Sequence, residues 1–419
     1  MNNYFVKALR IRSFFFLFLA EVFSQIGMNM MNFMVLLSVF SLTSSNTAVS
    51  GIVLAFTTPA ILFAVIAGAY VDRWDKKRVL FLTNSIRALL LLLLALFHSN
   101  LFVLYIVTFL VSVVTQFFIP AETPMIPVIV EKSLLLSANA LFGIALFGSI
   151  FVAYALAGPL LLLLGVKNGF FVLAGCFLLS SFFISLIHLP EKATPTAKKN
   201  VTSILQEVKG TLRLIIKFPK VFHAFSLLII SQTLILLIAA IGPGYAKNIL
   251  HIPVNEFPLL FVTPAIIGLG IGTLLISRIS LSWSKQKIGA TGLLISAIAL
   301  FLMPYGAIVA SQQFTQVINA YVPHILQITI LHIMIVVALM LGFANALIFV
   351  PSNTILQEET TEEIRGKTYG ALNSLTSLIA LIPILVIGPV ADVFGTSSVL
   401  IILGIIVGSL AVVRFFMKI

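Results

Sequence analysis

GAYVDRWDKKRVLFLTNSIRALLLLLLALF, residues 68–97, is the stretch whose reading decides the fold. After the basic cluster Arg73, Lys76, Lys77 and Arg78, a single ionisable side chain, Arg87, interrupts an apolar run that continues to Phe97. As a helix, residues 79–97 would be about 28 Å long, enough for a hydrocarbon core about 30 Å thick. Apolar side chains follow one another without a two-residue alternation, so the run is a spanning helix and not a barrel strand.

The same pattern recurs along the chain. Apolar spans are expected at 14–40, 50–71, 79–97, 101–121, 136–163, 169–188, 223–245, 257–277, 288–308, 327–350, 368–390 and 396–416. Of the 419 residues 60% are hydrophobic and 9% charged, against about 25% charged in soluble domains. The expected fold is an all-α membrane protein of twelve transmembrane helices. The first span is too long for a signal peptide and has no small-residue cleavage site, so it reads as a retained helix.

The formal charge of +12 would suggest nucleic acid in a soluble protein. Its distribution argues otherwise. With the N-terminus placed in the cytoplasm, 22 of the 25 Lys and Arg fall on the cytoplasmic side, against Lys167 and Lys247 outside and Arg87 within a span. By the positive-inside rule both termini are cytoplasmic, and no nucleic-acid partner is expected. The expected location is a bacterial plasma (inner) membrane. Cys176 is the single cysteine and the six histidines are scattered, so no disulfide framework, metal site or cofactor is expected.

Residues 189–222 form the longest polar stretch and include Pro190, Pro195 and Pro219. They divide the chain into an N-terminal six-helix bundle (1–188), a cytoplasmic linker (189–222), within which 201–217 reads as an amphipathic surface helix, and a C-terminal bundle (223–419). A repeat supports the division. Gly158-Pro159 and Gly388-Pro389 are 230 residues apart, and Pro120 and Pro351, each expected to end a span, are 231 apart. Asp72-Arg73 and Ser277-Arg278 are only 205 apart, which implies an insertion, assigned to an extracytoplasmic excursion at 306–326.

The loop GAYVDRWDKKR resembles that of the major facilitator superfamily between its second and third helices: a glycine, three residues, Asp-Arg and a basic cluster. Gly68, Asp72, Arg73, Lys77 and Arg78 match, while Asp75 stands where a small residue is usual. The wording DRWDKKR, with FIPAETPMIPVIVEKSLLLSANAL (118–141) and PSNTILQEETTEEIRGKTYGALNSL (351–375), resembles the branch of macrolide efflux proteins and siderophore exporters. The resemblance implies that this loop is a conformational latch, with Arg87 as partner of a nearby acidic group. A solvated basic loop that only sets topology is the alternative. AYALAGPLLLLLG around Gly158 and Pro159 resembles an exporter signature, but Leu162 and Leu163 replace its paired glycines. In GLGIG, Gly268 and Gly272 lie four apart in an apolar span and read as helix-packing contacts, as do the two Gly-Pro pairs, and not as a nucleotide loop.

Ionisable residues inside a membrane are functional candidates because they are costly there. Glu21 lies about 12 Å into the first span. Ser24, Gln25, Met28 and Asn32 follow it at helical spacing and make one polar stripe, which must face protein or water. Glu122, beside Pro120 and Pro124, is the second candidate. These two carboxyls are expected to couple proton movement to substrate; the alternative is a structural carboxyl hydrogen-bonded to neighbouring serines and amides. Further cavity candidates are Gln116, Gln232, His332 and Asn345, while Asp392 is expected to be interfacial at the outer end of its span. With 36 phenylalanines around so few polar groups, the expected cargo is a small amphipathic molecule held by area burial.

The expected function is secondary active transport by a monomer in the lipid bilayer: proton-coupled export by alternating access. Lysophospholipid or other lipid transport, or import, is the alternative within that class. A non-transporting receptor or assembly factor is the alternative outside it. An enzyme lacks a nucleophile and base, and a channel lacks a filter or charged rings.

Overall fold

A computed structural model describes residues 2–71, 73–189, 217–279, 283–309, 330–360 and 362–416. Among the described residues the regular structure is helical: α1 (Asn2–Arg10), α2 (Arg12–Thr43), α3 (Asn46–Val71), α4 (Lys76–Phe97), α5 (Leu101–Glu122), α6 (Met125–Ile129), α7 (Leu135–Ser185), α8 (Pro219–Asn248), α9 (Thr263–Ile279), α10 (Lys285–Val309), α11 (Ile330–Glu359), α12 (Glu362–Phe394) and α13 (Thr396–Phe416).

Among the described residues eleven helical stretches are long and apolar enough to cross a membrane, and one of them, Ser137–Ser185, holds two of the expected spans. At about 1.5 Å per residue its 49 residues would extend roughly 70 Å, more than twice a hydrocarbon core. Gly165 divides it, with φ 73° and ψ 172°. Only glycine adopts such a backbone without strain, so the chain turns there from one crossing to the next. The expected twelve crossings are therefore present.

One expectation about helix ends needs adjusting. Pro120 lies one turn or less from the end of α5, as anticipated, but α11 runs past Pro351 to Glu359. The Asn353 Nδ2 donates to Phe349 O at 2.9 Å and the Thr354 Oγ1 to Val350 O at 2.9 Å, reinforcing the backbone around the proline. The extended end is then tied sideways. Glu358 pairs with Lys285 at the start of α10, and Glu359 with Lys220 at the start of α8. The linker (189–222), its amphipathic helix and the insertion (306–326) fall mostly outside the described residues.

Contacts group the chain into two units: Met1–Leu42 with Leu54–Gln206, and Thr43–Val53 with Glu207–Ile419. Helix α3 is thus shared, its first turns belonging to the second unit.

In the first unit, Phe14, Leu17 and Ala20 of α2, Leu80 of α4, Phe118 and Ala121 of α5 and Ile184 of α7 form a buried core. Asp75, the residue that departs from the family pattern, caps α4: Arg78 N donates to its Oδ1 at 2.9 Å. Lys77 caps a second helix end, its Nζ donating to Ser185 O at 2.9 Å and Ile187 O at 2.6 Å where α7 stops. The loop therefore fixes two helix ends locally.

In the second unit, glycines set the helix spacing. A Cβ at Gly268 of α9 would lie 2.1 Å from Leu339 O, one at Gly272 would lie 2.6 Å from Ala346 Cβ, and one at Gly342 would lie 1.6 Å from Ala265 O. Without a hydrophobic force between helices in lipid, such backbone contact is the main source of their association. Large apolar side chains such as Leu163, Leu274 and Ile382 are exposed, as lipid-facing positions require.

Candidate functional site

Unit one carries three ionisable side chains deep in its core: Glu21 of α2, Arg87 of α4 and Glu122 at the end of α5, exposed by 2%, 1% and 8%. Local sequence explains how each is held. The segment TNSIR in α4 places Asn84 one turn before Arg87, on the same face. Arg87 Nη1 donates to Asn84 Oδ1 at 3.2 Å and to Ser24 Oγ at 3.1 Å. Ser24 Oγ donates to Asn84 Oδ1 at 3.1 Å, Asn84 Nδ2 to Ser180 Oγ at 3.0 Å, and Ser180 Oγ to Ala20 O at 2.7 Å. This chain of bonds joins α2, α4 and α7.

The Arg87 guanidinium also lies 4.5 Å from the Phe118 ring centre and 5.6 Å from that of Phe177. Aromatic faces attract a cation, and here they replace part of its lost hydration. Its electrostatic partners are Glu122 and Glu21, and the two carboxyls also act on each other. Gln25 Nε2 donates to Glu21 Oε1 at 3.0 Å, and Asn29 Nδ2 supports Gln25 through its carbonyl at 2.8 Å. Within this cluster, Glu21 Oε2 and Arg87 Nε are buried with no hydrogen-bond partner among the described residues.

The charges of this cluster do not balance when every group is ionised. Two carboxylates and one guanidinium leave a net negative charge in a region shielded from water. One proton makes the trio neutral. Burying an unbalanced charge is far more costly than burying a neutral group. Chemically it is a pair of neighbouring carboxyls facing one cation held by Ser24 and Asn84.

The remaining expected positions are distributed as follows. Of the α2 stripe, Ser24 joins the Arg87 network, Met28 Sδ accepts from Thr115 Oγ1 at 3.9 Å, and Asn32 Oδ1 is buried with no partner among the described residues. Gln116 Nε2 donates to Ser112 O in its own helix at 3.2 Å. In the second unit, Asn345 Oδ1 accepts from Ser231 Oγ at 2.6 Å, tying α11 to α8; Gln232 is half-buried and His332 exposed. Gly68 is half-buried, Arg73 and Arg78 are exposed, and Asp72 lies outside the described residues. Gly158 is buried and Pro159 half-buried within α7. No group of His, Cys, Asp or Glu that could hold a metal occurs among the described residues.

Three associations lay beyond the sequence reading. Asn84 and Ser180 were visible as polar residues in apolar spans, but their partners are 60 to 160 residues away. Arg414 Nη1 meets His223 Nδ1 at 2.9 Å and its Nη2 donates to Ser226 Oγ at 2.7 Å. Since the guanidinium only donates, Nδ1 must accept, which leaves the buried Nε2 carrying the hydrogen, with no partner among the described residues. Asp392 accepts bonds from the start of α3.

Residues 17–382 match the family model described as Major Facilitator Superfamily. Two relatives from Bacillus subtilis (strain 168) are similar over most of their length. The uncharacterized MFS-type transporter YfiS is 23% identical over 371 residues, 88% of this chain and 84% of its own. The uncharacterized MFS-type transporter YfmI is 24% identical over 408 residues, 94% of each. Among solved structures, the nucleoside transporter NupG aligns with a TM-score of 0.72 at 12% identity, covering 97% of this chain and 100% of that one. A POT family transporter in complex with 5-aminolevulinic acid aligns with a TM-score of 0.71 at 11% identity, covering 96% and 95%. At these identities the solved structures speak for the fold alone.

Proposed function

The chain belongs to the major facilitator superfamily and is a membrane transporter of that type, not an enzyme; we propose that it exports a small amphipathic molecule in exchange for protons. The two six-helix halves alternate access to a central site, with both termini on the cytoplasmic side of a bacterial plasma membrane and a monomer as the working unit. Gly68, Asp72, Arg73, Lys77 and Arg78 act as the latch on that side.

The observation that carries the coupling reading is the charge imbalance of Glu21, Arg87 and Glu122 in the core of unit one. The neutral trio holds one proton. Loss of that proton leaves a negative charge that draws Arg87 toward the carboxyls and away from Ser24 and Asn84, shifting α4 relative to α2. Substrate binding and proton binding thereby compete through one element. The scarcity of other ionisable groups in the spans suits a cargo bound by apolar contact, with the α2 stripe and Gln116, Gln232, His332 and Asn345 supplying its few polar contacts.

The cargo is sought by thermal shift of the purified protein against erythromycin, a ferric catecholate siderophore and lysophosphatidylcholine, since a ligand of the folded state raises its apparent stability. Coupling is then tested in proteoliposomes carrying an internal pH-sensitive dye. The protein releases or takes up protons when its ligand is added, and Glu21→Gln abolishes this response. Undiminished pH-gradient-driven flux in Glu21→Gln would overturn the assignment.

A further inference from the structure

The first turn of α3 is held by a carboxylate from another part of the chain. Asp392 Oδ1 accepts from Asn46 N at 2.8 Å and Asn46 Nδ2 at 2.9 Å. Its Oδ2 accepts from Thr47 N at 2.9 Å, Thr47 Oγ1 at 2.7 Å and Ser45 Oγ at 2.6 Å. Ser45 Oγ in turn accepts from Ala48 N at 3.3 Å, so the first free N–H groups of α3 are taken by one aspartate and one serine. The carboxylate also sits on the positive end of the helix dipole.

A second, independent feature lies beside it. Gly388, one turn before Asp392, lets α12 approach α3 closely: a Cβ there would lie 2.4 Å from Ser50 Oγ, 2.6 Å from Asn46 O and 2.8 Å from Thr47 Cα. A Cβ at Gly244 of α8 would lie 2.0 Å from Asn46 Oδ1. Asn46 is thus seated against two glycines and under an aspartate. Lys247 Nζ adds a bond to Ser44 Oγ at 2.8 Å, at the turn where Ser44 has φ 51°.

This explains why the contacts group Thr43–Val53 with the second unit although α3 continues into the first. The clasp is at the Asn46 end of α3, away from the basic loop that follows Val71. A docking of this kind is specific and polar at its rim, and polar groups on both sides can be rehydrated once separated. That is the character of a contact made to open, unlike the dry backbone packing of Gly268 and Gly342.

We propose that Asp392, with Gly388 and Gly244, is a releasable clamp on the first turn of α3 that closes the extracytoplasmic side of the transporter and sets the balance between its two access states. The proposal rests on the alternating-access reading for its meaning, though not for its test. Breaking the clamp exposes the face of α3 that now packs on α12.

The test uses the full chain with Val53→Cys, a fully buried position two turns into α3. Labelling by a membrane-impermeant maleimide added outside cells is measured in this background, in Asp392→Asn, and in the double variant Ser45→Ala, Thr47→Ala; protein with native Cys176 alone supplies the blank. Loss of the charge is expected to raise the labelling rate roughly tenfold, the scale of a charge-assisted hydrogen bond, and the double variant to raise it by less. Fraying confined to the first turn would not reach Val53. An unchanged labelling rate in either variant, as folded protein with an unaltered melting temperature, would overturn the clamp. Should Asp392→Asn not fold, the double variant decides alone. Because labelling needs no substrate or proton gradient, failure of the coupling reading leaves this outcome untouched.

Discussion

In the string GLGIG, two glycines bear on packing and one does not, which permits a controlled test within five residues. Gly268→Ala places a methyl group 2.1 Å from the carbonyl oxygen and 2.8 Å from the carbonyl carbon of Leu339. Both are backbone atoms and cannot rotate away. Ordinary contact begins at 3.4 Å, so α9 and α11 must separate by about 1.3 Å at this point. Overpacking of this kind costs about 1–3 kcal/mol. Alanine's better helix propensity offsets up to about 1 kcal/mol of it. With the full offset the net expectation is a loss of up to about 2 kcal/mol.

Gly270→Ala has nothing within 4 Å of its new methyl, so only the propensity term remains. It is expected to be neutral or to stabilise by up to about 1 kcal/mol. Reversible unfolding in mixed detergent–SDS micelles, followed by Trp fluorescence, measures the two variants in parallel. Gly268→Ala should unfold at lower SDS and Gly270→Ala at equal or higher SDS. Equal midpoints for the two would refute the claim that glycine contacts, and not general apolarity, hold α9 to α11.

Other expectations concern the charges. Arg87→Leu leaves two buried carboxyls without their cation and should destabilise by about 3–5 kcal/mol; adding Glu122→Gln should restore part of that loss, and additive losses in the same SDS titration would contradict the coupling of the trio. Ser180→Ala removes bonds to Asn84 and Ala20 O and should lower stability by about 1 kcal/mol, without changing proton uptake measured with the entrapped dye. Lys77→Gln should lower the melting temperature by loosening the end of α7, and Lys77→Arg should restore it. Asp72→Asn should slow transport while leaving membrane insertion intact; full-rate flux would show that Asp72 is no latch.

Within the candidate site, single residues were legible and their associations were not. Glu21 was found because a carboxylate inside an apolar span is costly whatever surrounds it, and Arg87 stood out for the same reason. That Glu122 shares their environment depends on how α5 ends beside α2 and α4, which no spacing along the chain encodes. Asp75 looked like a departure from a family pattern, and the fold gives it a reason as the N-cap of α4. Asp392 was placed at the end of its span correctly in kind, but its five bonds to residues 45–47 join positions almost 350 apart.

What the chain fixes by itself is what the bilayer enforces on every segment separately. Helix length must match membrane thickness, basic residues must stay on one side, and backbone groups must bond within the segment, so each crossing can be read from its own residues. Gly165 marks a turn that length alone located only loosely. Tertiary structure decided what lipid leaves open: which small residue faces which backbone, as with Gly268 but not Gly270, and which buried charges meet. The reason is physical. Apolar helices are equally at ease beside lipid or beside each other, so their pairing depends on short-range fit and on a few polar contacts whose partners lie far apart in sequence.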